Sequence, residues 1–208
     1  MSASDAGVAA APTGKAESIL AAAQRTFLAN GFGAASMDAI AREAGASKAT
    51  LYAYFASKEE LFGAVVARES ERYAREFPAG ELDPHEVQAS LTLIADRFLR
   101  LLLSPEVIAI NRIIIGEVAR FPVLAGVFWR AGPERIRAQV EGFLRRAAAI
   151  GTVEVPDTRL AAEQFTSLVR GEIHLQRLLG LGAAEPDAIA AAARAAVATF
   201  RRAFSAKA

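Results

Sequence analysis

Apolar residues recur at helical spacing along almost the whole chain, and the alternation that marks strands is scarce. A first helix is expected over about 15–30, with Ile19, Leu20, Ala23, Phe27 and Leu28 on its apolar side and Gly31 placed to stop it. Ser36 caps a short second helix carrying Met37, Ile40, Ala41 and Ala44 at i, i+3, i+4 and i+7, and Gly45 ends it. Ser47 caps a third, equally short helix that ends near Tyr54. Ser57 and Glu60 form a capping box that opens a long fourth helix, reaching about Phe77. Asp83-Pro84 and Ser104-Pro105 each set a capping residue before a proline at the first helical position, which is a start signal. Phe121-Pro122 interrupts the pattern, and Gly132-Pro133 kinks or breaks it before "ERIRAQVEGFLRRAAAI" resumes. "GTVEVPD", residues 151–157, is the one extended candidate. Asp157 caps a helix reaching Leu179, and a last helix runs from near Pro186 to about Phe204. The expected fold is therefore all-α, about nine helices without a repeat of fixed period. Residues 1–14 read as a disordered arm, 15–62 as a three-helix head and 63–208 as a larger helical body.

Composition narrows the function classes. Of 208 residues 53% are apolar, enough for a sizeable core, and the formal net charge of +1 neither favours nor disfavours a polyanionic partner. The absence of cysteine excludes a disulfide framework, a thiolate metal site and a cysteine nucleophile. The N-terminus has neither a basic region nor a long apolar run and does not read as a signal peptide. The most apolar stretch, 98–121, carries Arg100, Glu106, Asn111, Arg112, Glu117 and Arg120, too many polar groups for a membrane span. A cytoplasmic protein with no membrane partner is expected. An enzyme fares poorly: there is no H-E-x-x-H, no glycine-rich phosphate loop and no G-x-S-x-G, and His85 and His174 are far apart in sequence. No catalytic residue, metal site or cofactor is assigned. A purely protein-binding adaptor would leave the lysine- and tyrosine-bearing face of residues 48–58 without a purpose.

Two short helices joined by a glycine turn and braced by a preceding helix make a helix-turn-helix. Ala41 and Ala44 are small where the helices cross, while Leu51 and Phe55 point back onto Met37, Ile40 and Phe27. Lys48, Ala49, Thr50 and Tyr52 remain outward. Lysine can donate to guanine acceptors or phosphate, alanine can abut a thymine methyl, and hydroxyls can reach phosphate oxygens. Lys58, in the first turn of the fourth helix, lies beside free amide donors, a combination suited to phosphate. Residues 1–62 hold five basic and six acidic side chains, so such a head would bind DNA through a few contacts and not through bulk charge.

The stretch "SMDAIAREAGASKATLYAYFASKEELF", with Phe27 and "NGF" upstream, resembles the DNA-binding domain of the TetR/AcrR family of transcriptional regulators, without gaps from about Lys15 to Val66. The resemblance implies that the second helix of the motif enters the major groove, with Lys48, Ala49 and Tyr52 toward base edges and Ser36, Thr50, Tyr52, Tyr54 and Lys58 toward phosphate. With the capping Ser47 these are the candidate DNA contacts. Two positions depart from the pattern: Ala46 stands where valine is usual, and Asp38 where some members carry a basic base-contacting residue, so that contact is not carried over. Asp38 suits the helix dipole instead.

A head of this size reads few base pairs, so a dimer on a near-palindromic operator is expected, with reading helices about 34–36 Å apart. The last two helices are the candidates for the homodimer face: Phe165, Leu168, Glu172, Leu175 and Leu179 on one, Ile189, Ala193, Ala196, Val197, Phe200 and Phe204 on the other. The simpler alternative is that both face their own core. The resemblance implies a four-helix interface built from these two helices of each subunit. The middle helices would build a sensor for a small hydrophobic effector. Its candidate lining is Phe98, Leu102, Ile110, Asn111, Ile114, Glu117, Phe121, Phe128, Trp129, Phe143, Phe165 and Val169. Asn111 and Glu117, on a helix apolar around most of its circumference, need either fixed partners or a wet cavity. On the simpler reading Arg112 and Glu117 pair with neighbouring helices, and His174 is a core or interface histidine. The segments "INRIIIGEVARFP" and "AAEQFTSLVRGE" also resemble the AefR-like branch of the family, which implies a hydrophobic effector. The expected function is a ligand-responsive regulator, a repressor, in which an effector tilts the fourth helix and so alters the spacing of the reading heads.

Overall fold

A computed structural model describes residues 14–75, 82–182 and 185–204. Within them lie ten helices: α1 (Gly14–Ala34), α2 (Met37–Glu43), α3 (Lys48–Tyr54), α4 (Lys58–Arg75), α5 (Val87–Leu103), α6 (Pro105–Glu117), α7 (Val123–Ala131), α8 (Pro133–Ala149), α9 (Thr158–Leu178) and α10 (Pro186–Phe204). No strand forms among the described residues, and the fold is all-α. The expected arm lies outside the described residues except for Gly14, which begins α1. Gly132-Pro133 is a full break and not a kink, which separates α7 from α8 and makes ten helices of the expected nine.

Most start signals act as the sequence suggests. Ser36 accepts from Ala39 N, Ser47 from Thr50 N and Ser104 from Val107 N, while the Asp157 carboxylate accepts from both Arg159 N and Leu160 N. Ser57 accepts from Glu60 N, but Glu60 reaches back to Ala56 N, one residue beyond the usual reciprocal partner. Asp83-Pro84 differs from expectation. It closes a separate turn, in which Asp83 accepts from His85 N and Glu86 N, and α5 begins only at Val87. Residues 151–157 likewise form no strand; Glu154 N donates to Phe204 O at 3.2 Å, tying the segment to the end of α10. Gly31 adopts φ 74°, as a helix stop should, but the chain re-enters helix for the residues that follow, which carry Phe32 into the head.

The chain separates into two compact units, one ending at Val65 and one beginning at Val66, both inside α4. The first holds α1–α3 and the opening turns of α4. Its core is aromatic: Phe27, Phe32 and Phe62 are fully buried, with ring centroids 5.3–5.8 Å apart. Ile19, Ile40, Leu51 and Leu61 complete it. Leu51 is buried as expected, whereas Phe55 is only half-buried and lies beside Tyr54.

The second unit is organised around α5, α8, α9 and α10, whose apolar faces form one continuous core including Leu91, Phe98, Leu144, Phe165 and Phe200. Phe165 and Phe200 meet edge to face at 5.1 Å. α6 packs with only one side inward: Ile108, Ile110 and Ile114 are buried, but Ile115 is 63% exposed, so the helix is less enclosed than its composition suggests. Arg112 on α6 donates to the carbonyls of Arg177 and Leu178, capping the C-terminal end of α9 with a cation.

Candidate nucleic-acid interface and ligand cavity

The turn between α2 and α3 needs a positive φ, supplied by Gly45 at 56°. It is braced from α1, where Lys15 Nζ donates to Gly45 O at 2.8 Å and Ser18 Oγ to Ala44 O at 3.3 Å. With Leu51 anchored in the core, α3 turns Ser47, Lys48, Ala49, Tyr52 and Tyr54 to solvent, the two tyrosines 43% and 41% exposed. Ser36 is also exposed and Thr50 half-exposed. Thr50 Oγ1 and Ser47 Oγ lie 2.8 Å apart, within the cap of α3. The candidate contacts thus occupy α3 and the N-cap of α2, with one exception.

That exception is Lys58. Its ammonium donates to Phe32 O at 2.8 Å, Ala35 O at 2.9 Å and, more weakly, Gly33 O at 3.4 Å, and it sits 4.4 Å from the centre of the Phe32 ring. Sequence position suggested a phosphate ligand; in the structure the Lys58 ammonium satisfies carbonyls at the end of α1. A helix end leaves such carbonyls without intrahelical partners.

Lys48 is held too. Its Nζ lies 2.9 Å from an Asp38 oxygen, both side chains being well exposed, and this hydrogen bond and charge raise the lysine pKa. Asp38 therefore serves more than the dipole of α2: it fixes one end of the reading face. Arg25 pairs with Glu43 at 2.9 Å. Four of the five basic side chains of the head, namely Lys15, Arg25, Lys48 and Lys58, have partners within it, which accounts for how a near-neutral head keeps its lysines ordered.

The second unit contains a cavity of about 420 Å³, walled by parts of α4, α5, α6, α7, α8 and α9. Of the expected lining, Phe98, Leu102, Ile110, Asn111, Phe128 and Trp129 are there. The rest are elsewhere. Phe143, Phe165 and Val169 belong to the helix-packing core, and their periodicity alone could not separate the two fates. Ile114, Glu117 and Phe121 lie toward the α6–α7 turn, outside the lining, where Glu117 O accepts from Phe121 N and the Phe121 ring lies under Arg120. Asn111 combines the two alternatives: it borders the cavity while its Nδ2 donates to Val107 O at 2.8 Å.

Sequence reasoning missed most of the polar part of the wall: Glu69 and Ser70 on α4, Arg137 on α8, and Arg159, Glu163, Arg170 and His174 on α9. Only the packing of three helices brings them together. Glu69 lies 2.9 Å from Arg72. His174, read as a core or interface residue, borders the cavity, and burial together with the Arg170 charge pushes its pKa down. Among the described residues no group of acidic, histidine or cysteine side chains could hold a metal ion, and no helix is long and apolar enough to cross a membrane.

The expected dimer residues divide by helix. Leu168, Glu172 and Leu175 on α9 and its C-cap Leu179 are all exposed, Leu175 at 56% and Leu179 at 67%, and the helix is interrupted at Gly171 (φ 49°, ψ −163°), between Leu168 and the other three. Phe165 on the same helix is buried in its own core. On α10, the stripe of Ile189, Ala193, Ala196, Val197 and Phe200 is buried in the chain's own core, where α10 packs on α5 and α9. Phe204 is half-buried and, with Leu168 and Ala203, borders a shallow groove between α9 and α10.

Comparison with known proteins assigns both units. Residues 19–65 match the domain described as bacterial regulatory proteins, tetR family, and residues 89–206 match the AefR-like transcriptional repressor C-terminal domain. Among curated proteins, the chain is 48% identical over 61 residues to an uncharacterised helix-turn-helix regulator of Mycobacterium tuberculosis, and 44% identical over 59 residues to the regulator UidR of Escherichia coli. These matches span 28–29% of this chain and about 30% of the length of those relatives. Among solved structures, the flavonoid-responsive regulator FrrA is 41% identical with a TM-score of 0.78, covering 93% of this chain and 98% of that one. A TetR-family regulator from Mesorhizobium loti is 25% identical with a TM-score of 0.79 over 93% of this chain and all of its own. With a tetR-type helix-turn-helix at its head and an AefR-like domain over more than half its length, the chain belongs to the TetR family of transcriptional regulators.

Proposed function

We propose that the protein is a cytoplasmic repressor that binds a near-palindromic operator as a homodimer and leaves it when a largely hydrophobic, flavonoid-like effector fills the cavity. The observation that carries this reading is the 420 Å³ cavity with Phe98, Phe128 and Trp129 in its wall, in a chain whose α4 also contributes Val66, Glu69 and Ser70 to that wall. Its size falls in the range typical of small-molecule sites, and an aromatic side of the wall facing polar groups on α8 and α9 suits a planar ring system with polar substituents. The likeness to FrrA, which is named for its response to flavonoids, supports that ligand class. The description of the C-terminal domain as that of a repressor supports the direction of control.

Because α4 begins in the head and ends among the cavity residues, an effector that shifts its second half perturbs the helix that carries the first. A coupling of about 1–3 kcal/mol suffices for a useful switch. Dimerisation is assigned to Leu168, Glu172, Leu175 and Leu179, on α9 and its C-cap, because three exposed leucines this near one another in the chain mark a contact surface. DNA contact is assigned to Ser36, Ser47, Lys48, Ala49, Thr50, Tyr52 and Tyr54, and Lys58 is assigned to support of the head.

The test is selection of a binding site from random DNA by the purified protein, then a gel shift on the selected sequence with and without flavonoids. The expected product is a palindrome with half-sites about one helical turn apart. Lys48→Ala with Tyr52→Ala should abolish the shift and leave folding and self-association intact. Loss of self-association in that variant would overturn the division of roles, and a shift insensitive to every flavonoid would overturn the effector class.

A further inference from the structure

Two residues of the cavity wall carry a buried polar atom with no hydrogen-bond partner among the described residues. His174 is 8% exposed, and its Nε2 is fully buried with no hydrogen-bond partner. Arg137 Nε, across on α8, is buried in the same condition, its guanidinium meeting Glu134 only at 3.6 Å. A buried polar group without a partner costs about 1–3 kcal/mol, and native proteins seldom keep one without a use for it. Both residues border the cavity, whose neighbouring wall is apolar: Phe98, Leu102, Ile110 and Ile136.

The chemistry of the missing partner follows from the groups present. Burial and the nearby Arg170 charge lower the His174 pKa, so the ring is neutral near pH 7. A neutral imidazole offers one donor and one acceptor, and either may fall on Nε2. A hydroxyl both donates and accepts, so it satisfies Nε2 in either tautomer. A carboxylate serves only the donor tautomer of the ring, whereas the hydroxyl serves both. A ligand ammonium would meet Arg137, Arg159 and Arg170 in the cavity wall.

Resting on the reading of this cavity as the effector site, we infer that the effector is an uncharged ring compound recognised through a hydroxyl that hydrogen-bonds to His174 Nε2. His174 is then the residue that separates hydroxylated ligands from their bare ring systems. The apolar wall binds rings in general; the histidine selects among them.

Trp129 is the chain's single tryptophan and borders the cavity, so its emission reports occupancy, with calorimetry as the independent measure. The probes are flavone, 7-hydroxyflavone and 4′-hydroxyflavone, which share one ring system and place a hydroxyl at opposite ends. In the wild-type protein at least one hydroxyflavone should bind about tenfold more tightly than flavone, the worth of one hydrogen bond to an otherwise unsatisfied buried group. His174→Leu should bring that ratio to within about twofold. His174→Gln, whose amide also donates and accepts, should keep part of the preference, which a merely structural role would not explain. Thermal melts of both variants establish that they are folded. If flavone binds as tightly as both hydroxyflavones, or if His174→Leu retains the tenfold ratio, the hydroxyl inference is overturned while the cavity remains the effector site. If none of the three binds the wild-type protein, the flavonoid reading falls and takes this inference with it.

Discussion

Lys58 separates two accounts of the head that differ in a measurable way. As a phosphate contact it would matter only when DNA is bound. As the group that closes α1, it matters to the folded head alone. Lys58→Met keeps most of the stem that packs on Phe32 and removes the ammonium. The two shorter bonds, to Phe32 O and Ala35 O, are 2.8 and 2.9 Å, and the third, to Gly33 O, is 3.4 Å. A hydrogen bond to a charged group is worth about 1.5–3 kcal/mol, and the half-buried setting places each good bond at the low end. The ammonium over the Phe32 ring adds about 0.5 kcal/mol. The expected loss is therefore about 3.5 kcal/mol, confined to the head. Hydrogen exchange is the suitable assay, since a two-unit chain need not unfold in one step. Amides of α1 and α2 should lose protection by about 400-fold, the equivalent of that energy, while Trp129 emission, which reports the second unit, keeps its unfolding midpoint. Operator affinity measured at low temperature, where the head remains folded, should change less than about threefold, because the reading face on α3 is intact. Unchanged protection together with a large loss of affinity would refute the argument and restore Lys58 as a phosphate ligand.

Other predictions follow from the same geometry. Asp38→Asn frees Lys48 from its 2.9 Å partner, so binding to non-operator DNA should strengthen and the slope of log K against log salt should steepen by about 0.9, the value of one added phosphate contact; an unchanged slope would show that the pair does not restrain the lysine. Phe200→Ala removes a fully buried ring that packs against Phe165 and Phe204, and urea denaturation followed through Trp129 should show a loss of about 3–5 kcal/mol. Leu175→Asp with Leu179→Asp, both at exposed positions, should leave the melting temperature of the isolated chain nearly unaltered and convert a dimer to a monomer by analytical ultracentrifugation; a persisting dimer would move the interface off these residues.

Helix order and the reading head are legible in the sequence because their signals are local. Ser36, Ser47, Ser104 and Asp157 lie within three residues of the amides they cap, and Gly45 needs only its own φ to make the turn. Leu51 inward and Tyr52 outward follow from helical period alone once the helix is placed. What an amphipathic stripe cannot say is which neighbour covers it. The α10 stripe reads equally well as a dimer face or as core, and the packing of α10 on α5 and α9 decides for core. Phe143 and Phe165 have the same composition signal as Phe98 and Phe128, yet the first two fill space between helices and the second two border it. Lys58 and the carbonyls it binds are more than twenty residues apart, so no local pattern joins them. The same holds for His174 and Arg137, on α9 and α8, whose unsatisfied atoms acquire meaning only beside the cavity. The sequence by itself determined the elements, because capping and periodicity act over one or two turns. The tertiary structure decided which polar groups are satisfied, since a hydrogen bond depends on distance through space and not along the chain.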